Sequence, residues 1–161
     1  VVISGGEPTI QKDLLLFIKK IKKMGFLIKL DTSGINPDII SQLLEKSLLD
    51  YIAMDIKAPL EKYSTITMKK TDITQIKKSI DILLSSSIDY EFRTTLVPTL
   101  LTIEDISLIA KQIKGASLYV LQKFVSDTTI SPSLKGKFFK EDIMKRSKEL
   151  AEQYVKKCLL R

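Results

Sequence analysis

Five short stretches of this 161-residue chain carry residue types able to grip a small charged ligand: SGGE at 4–7, DTSG at 31–34, DIK at 55–57, RTT at 93–95 and QK at 122–123. Gly5 and Gly6 have no side chain to block a close backbone approach. Glu7, Asp31 and Asp55 offer negative charge, while Lys57 and Arg93 offer positive charge, Arg93 in a planar fork suited to carboxylates and hydroxyls. Histidine is absent, which excludes imidazole metal sites and imidazole general bases from these residues. Taken singly, Gly5-Gly6 also reads as a tight strand-to-helix turn, Asp31 as the cap of the next turn, and Asp55 with Lys57 as a solvated ion pair of little energetic weight. Five such stretches at successive strand ends point instead to one binding rim.

The elements that must position them alternate between periods of two and about 3.6 residues. The pattern predicts strands over 1–4, 26–31, 51–57, 90–97 and 118–124. Between them it predicts a helix marked by Ile10, Leu14, Phe17, Ile18, Ile21 and Met24, which Gly25 ends. A second helix opens at Asn36-Pro37-Asp38 with a cap, a proline at its first position and an early acid. A third opens at Thr71-Asp72 with Ile73, Ile76, Ile80 and Leu83 inward, and a fourth is boxed by Thr102 and Asp105 and stopped by Gly115. A final helix from about Glu141 is expected to bury Ile143, Leu150, Tyr154 and Val155. Repeated βαβ units imply a parallel sheet with helical crossovers.

Strands buried on both faces would read as almost continuously apolar, and these do not. Lys29 and Asp31 share one face, as do Asp55 and Lys57, and Glu91, Arg93 and Thr95; Ile28, Leu30, Ile52, Met54, Ile56, Phe92 and Leu96 take the other. The expected fold is therefore α/β, a partial (β/α) barrel of parallel strands with outer helices, one domain over 1–161, with its working rim at the carboxyl ends of the strands.

Composition narrows the function classes. A hydrophobic fraction of 44% suffices for a packed core. No apolar run reaches bilayer length and no signal-peptide pattern appears, so the expected compartment is the cytoplasm, without a membrane partner. The net charge is +7, but Lys19, Lys20, Lys22 and Lys23 interleave with Ile18 and Ile21 as the solvated back of a helix, without aromatic interleaving, which argues against nucleic acid. The one cysteine, Cys158, reads as a buried thiol ending an apolar helical stripe.

Four blocks, VVISGGEPTIQKDL at Val1 to Leu14, LDTSG at Leu30 to Gly34, LDYIAMDIK at Leu49 to Lys57 and FRTTLVP at Phe92 to Pro98, resemble in order and spacing the radical S-adenosylmethionine (radical SAM) superfamily, specifically the activating enzymes of glycyl radical enzymes. YVLQKF at Tyr119 to Phe124 resembles the branch that activates anaerobic ribonucleoside-triphosphate reductase more than the pyruvate formate-lyase branch. The resemblance implies S-adenosylmethionine as cofactor, with Gly5, Gly6 and Glu7 at its ammonium end, Asp55 near the ammonium and Lys57 near the carboxylate or ribose. It further implies that Arg93 orients carboxylate or ribose with Thr95 facing the same ligand, and that Asp31 and Thr32 stand where relatives can hold a monovalent cation. Thr99 stands where many relatives place glycine.

The family also binds a 4Fe-4S cluster through C-x-x-x-C-x-x-C, and no such motif occurs here. The resemblance thus implies that the first strand and the cluster loop lie upstream of Val1, and that this is the C-terminal part of the domain, inactive as it stands. In the intact enzyme the cluster would reduce the cofactor, and the resulting 5'-deoxyadenosyl radical would take hydrogen from a backbone glycine of a glycyl radical enzyme, with flavodoxin or ferredoxin as electron donor. Two alternatives remain at this stage: another radical SAM chemistry, or a non-catalytic α/β module binding an adenosyl or phosphate ligand.

Overall fold

In the computed structural model, which describes residues 1–68, 71–126 and 132–161, the chain forms two compact units: Val1–Asp55 with Lys70–Glu91, and Ile56–Lys69 with Phe92–Arg161. Six strands lie in one sheet in chain order, β1 to β6, as expected of successive βαβ crossovers.

In the first unit β1 (Val2–Ile3) pairs in parallel with β2 (Lys29–Thr32), and β2 with β3 (Tyr51–Asp55). Helices α1 (Leu14–Lys23), α2 (Pro37–Glu45) and α4 (Ile73–Ser85) bury Ile18, Ile40, Leu43, Ile76 and Leu83 with Leu30, Ile52 and Met54 of the strands. The second unit pairs β4 (Asp89–Leu96) with β5 (Tyr119–Lys123) and β5 with β6 (Cys158–Leu160), again in parallel. The first three residues of β4 belong to the first unit and its last five to the second. Short α3 (Tyr63–Thr67), then α5 (Ile103–Gln112) and α6 (Glu141–Ala151) complete the second unit, whose core includes Phe92, Ile106, Ile109, Ile113 and Tyr119.

Several expectations require correction. The first helix starts late: Pro8–Ile10 form a single 3-10 turn and α1 begins at Leu14. Its buried face is Leu14, Ile18 and Ile21, a four-then-three spacing that leaves Ile10, Phe17 and Met24 exposed rather than inward. The second strand starts at Lys29, not Phe26, and Phe26 and Leu27 are exposed. Asp50 fixes this corner, accepting from the Ile28 amide at 2.7 Å and from Lys22 Nζ at 2.9 Å. The third strand ends at Asp55 rather than Lys57. In α4, Ile73 is exposed because Asp72 caps the helix and places the inward stripe at Ile76, Ser79, Ile80 and Leu83.

Helix α6 buries Met144, Ser147 and Ala151 instead of Ile143 and Leu150, the small side chains setting its phase. Cys158 is not the end of a helical stripe. It opens β6, a strand the periodicity does not show, bonded to β5 from the Tyr119 amide to the Lys157 carbonyl at 2.9 Å and from the Arg161 amide to the Leu121 carbonyl at 3.0 Å. Other expectations hold. Thr102 and Asp105 form a reciprocal capping box on α5, with Thr102 accepting from the Asp105 amide and Asp105 from the Thr102 amide. Among the described residues, no helix is long and apolar enough to cross a membrane.

Candidate functional site

In the first unit, the turn after β1 and the turn after β2 are tied together through one carboxylate. Glu7 Oε1 accepts from the Thr9 amide at 3.1 Å, Thr9 Oγ1 at 2.6 Å and Thr32 Oγ1 at 2.7 Å. Glu7 Oε2 accepts from the Ser33 amide at 2.6 Å and from Ser33 Oγ. Burial alone would raise the Glu7 pKa; the hydroxyl and amide donors of Ser33, Thr9 and Thr32 outweigh it and hold the carboxyl below its ordinary value. The network continues outward. Asn36 Nδ2 donates to the carbonyl and the hydroxyl of Thr9, both at 3.1 Å, and the Gly34 amide donates to Thr32 Oγ1 at 3.1 Å. Asn36 therefore sits at the start of α2 without a capping bond from its side chain, which is directed to Thr9 instead.

Gly5 and Gly6 take positive φ, 100° and 52°, and both are exposed with open space where a Cβ would stand. The conformation, not crowding, is what calls for glycine there. Gly34 differs. At φ 77° a Cβ would run into the Met54 side-chain methyl, and its carbonyl accepts from the buried Ser79 hydroxyl at 2.7 Å. Of the residues assigned to this end, Glu7 and Thr32 meet directly, and Gly5 and Gly6 immediately precede Glu7 in the chain. Thr32 is buried and directs its hydroxyl at Glu7. Asp31, half-buried, lies 3.7 Å from Lys29 Nζ, and Asp55 closes β3.

The polar face of this unit extends below these turns. The register sets Lys29 beside Tyr51, and Lys29 Nζ stands 5.2 Å from the centre of the Tyr51 ring. Both reach Glu91, Lys29 Nζ at 3.4 Å from Oε1 and the Tyr51 hydroxyl donating to Oε2 at 3.3 Å. Glu91 is buried, and two donors stand against its desolvation.

In the second unit, Arg93 and Thr95 share a face of β4 with Val120 and Gln122 of β5 as register partners. Thr94, between them, is buried on the opposite face and donates through Oγ1 to the Ile56 carbonyl at 2.8 Å. The Ile56 amide donates to the Arg93 carbonyl at 2.8 Å, and the Lys57 amide to the Tyr63 hydroxyl at 3.4 Å. Lys57 itself is exposed. Thr99 has φ 72°, the left-handed region that disfavours a β-branched residue, at the position where the sequence resemblance places glycine.

Thr9, Ser33, Asn36, Ser79, Thr94 and Tyr119 are the site-supporting residues that the sequence reading misses. Thr9, Ser33, Thr94 and Tyr119 lie inside the blocks quoted above, and Thr9 bonds Glu7 only two residues away, but the bonds of Ser33, Asn36, Ser79, Thr94 and Tyr119 cross gaps of 25 to 45 residues that no local pattern reveals.

The first unit carries exposed left-handed glycines beside a bonded carboxylate, and the second carries an exposed lysine and an arginine on a strand face. An iron-sulfur cluster does not suit the residues present. Among the described residues no three or more His, Cys, Asp or Glu stand together as metal ligands. The one cysteine of the chain is buried, and that burial pushes its thiol up to about 12.

The profile described as the radical SAM superfamily matches residues 1–113. A Methanocaldococcus jannaschii protein provisionally named a glycyl-radical enzyme activating enzyme is 35% identical over 167 residues, taking in 100% of this chain and 70% of its own length. A second protein of that organism with the same provisional name is 27% identical over 160 residues, with 96% of this chain and 60% of its own length covered. A domain of a pyruvate-formate lyase-activating enzyme from Bacteroides vulgatus shares the fold at a TM-score of 0.78 and 16% identity, covering 100% of this chain and 98% of that domain. The motif blocks, the parallel sheet and the profile agree, and the chain belongs to the radical SAM superfamily.

Proposed function

We propose that this chain is part of a glycyl-radical enzyme activating enzyme that uses S-adenosylmethionine. The observation that carries the reading is the 35% identity, running the full length of the chain, to a relative bearing that provisional name. The Glu7-anchored glycine turn supports it, since it presents backbone in a conformation that other residues rarely adopt. In this reading Gly5 and Gly6 offer main-chain groups to the cofactor ammonium, with Asp55 as the neighbouring carboxylate. Lys57 and Arg93 take carboxylate or ribose oxygens, and Thr95 adds a hydroxyl. Asp31 and Thr32 flank a monovalent cation. Glu7 acts one step back from the ligand, because its oxygens already receive five donors.

When bound and reduced, the cofactor supplies the hydrogen-abstracting chemistry. The residues of this chain bind it, orient it and exclude water. None is required as an acid or base, which accords with the absence of histidine. The partner we assign is a glycyl radical enzyme, an anaerobic ribonucleoside-triphosphate reductase, with flavodoxin or ferredoxin as electron source and 4Fe-4S ligands contributed from outside this chain.

The test is anaerobic incubation of the complete protein with S-adenosylmethionine, reductant and the reductase from the same source, read by electron paramagnetic resonance. A glycyl radical doublet on the reductase that depends on the cofactor is the expected result. Cofactor cleavage without that doublet, or a doublet raised only on another glycyl radical enzyme, overturns the assignment of partner.

A further inference from the structure

Lys57 follows β3 and leaves the sheet immediately, yet the peptide before it is held from several directions. The Ile56 amide donates to the Arg93 carbonyl at 2.8 Å, and the Ile56 carbonyl accepts from Thr94 Oγ1 at 2.8 Å. The Lys57 amide donates to Tyr63 Oη at 3.4 Å. Thr94 is itself oriented, for the Tyr119 hydroxyl donates to Thr94 Oγ1 at 2.8 Å. Each hydroxyl has one proton, so the chain has one sense: Tyr119 to Thr94 to the Ile56 carbonyl. Both side chains are buried on the apolar side of β4 and β5, where a hydroxyl without a partner is costly. A valine would fill the Thr94 position equally well on packing grounds, so packing does not account for the hydroxyl.

We propose that Thr94, set by Tyr119, is a positioning residue for the cofactor-binding lysine: it fixes the plane of the Ile56–Lys57 peptide and thereby the direction in which Lys57 projects. Arg93 and Thr94 are consecutive, so the strand that presents the arginine also orients the lysine. The inference rests on the proposed role of Lys57 toward S-adenosylmethionine, and its test separates the two.

The experiment is calorimetric titration of S-adenosylmethionine into the anaerobically purified complete protein, for wild type, Thr94→Val, Thr94→Ser, Tyr119→Phe, Lys57→Ala and the Thr94→Val/Lys57→Ala pair, with thermal melting of each. Thr94→Val is expected to weaken binding about three- to tenfold, Thr94→Ser to restore it, and the double variant to bind no more weakly than Lys57→Ala alone, as coupled residues do. Tyr119→Phe should show a smaller loss of the same kind. Should Thr94→Val fail to fold, Tyr119→Phe and Thr94→Ser carry the same comparison with Lys57→Ala. Additive losses in the double variant, or a lower melting temperature with unchanged affinity, overturn the positioning role while leaving the cofactor reading intact. Unchanged affinity in Lys57→Ala overturns the reading of Lys57, and the positioning role falls with it.

Discussion

At the Gly5-Gly6 turn of the first unit, donors from Thr9, Thr32 and Ser33 converge on one carboxylate, whereas in the second unit Lys57 stands exposed and the ordering bonds lie behind it, on the Ile56 carbonyl. The first arrangement uses a charged group to shape backbone. The second uses buried neutral hydroxyls to hold the peptide before a charged group, which in the proposed reading is left for the ligand. In the proposed reading a conspicuous acid in a motif is therefore not the group that meets the ligand, since Glu7 already accepts five hydrogen bonds from its own turns.

Substitutions should separate the two arrangements. The largest effect is expected from Glu7→Ala, which removes the acceptor of five bonds and leaves donors of Thr32 and Ser33 unanswered; a loss of about 3 kcal/mol in urea unfolding is expected. The same variant carries a pH signature. Because the folded Glu7 pKa lies below its ordinary 4.5, the unfolded state binds more protons between the two values. Its contribution is present in full above about 4.5 and is lost as pH falls through the folded value, so the gap between wild type and variant should narrow on acidification. A gap that is flat or widens there would mean that the carboxylate is not held by these donors.

The glycines sharpen the comparison at lower cost. Gly34→Ala should lose about 2 kcal/mol, since left-handed φ is joined by collision with Met54, while Gly6→Ala, with open space around it, should lose about 1 kcal/mol. Equal losses in thermal unfolding would show that collision contributes nothing at Gly34. The smallest change expected is a gain. Thr99→Gly should stabilise the protein by about 0.5 kcal/mol, the relief of a β-branched residue at φ 72° outweighing the entropy of glycine, and a loss of stability would show that the threonine side chain has a compensating contact.

The polar and apolar alternation of Lys29 to Asp31 and of Glu91 to Leu96 is legible because a strand keeps its period of two wherever one face is polar. The start of α5 is legible because the capping box is local, three residues from donor to acceptor. The bonding of Glu7 is not legible because its partners Thr32 and Ser33 stand 25 and 26 residues away and are brought close only by the parallel crossover. The phase of α6 is misread because Ser147 and Ala151, being small, carry no hydrophobic signal although they mark the inward side. Strand β6, at three residues, is too short for any period. The alternation of Glu91 to Leu96 turns Thr94 toward the apolar face, but its bond to the Ile56 carbonyl spans 38 residues and no local pattern shows it.

The bond from Ser79 to the Gly34 carbonyl bears on the order of assembly during synthesis. Thr9 and Asn36 are 27 residues apart and can meet once the first crossover has been made, but Gly34 acquires its buried partner only from a residue 45 positions later, in α4. Loop closure over longer spans is slower and entropically dearer. The glycine turn of DTSG is thus completed only after the next crossover has docked, and a ribosome-bound chain ending before Ser79 would hold that turn unfinished.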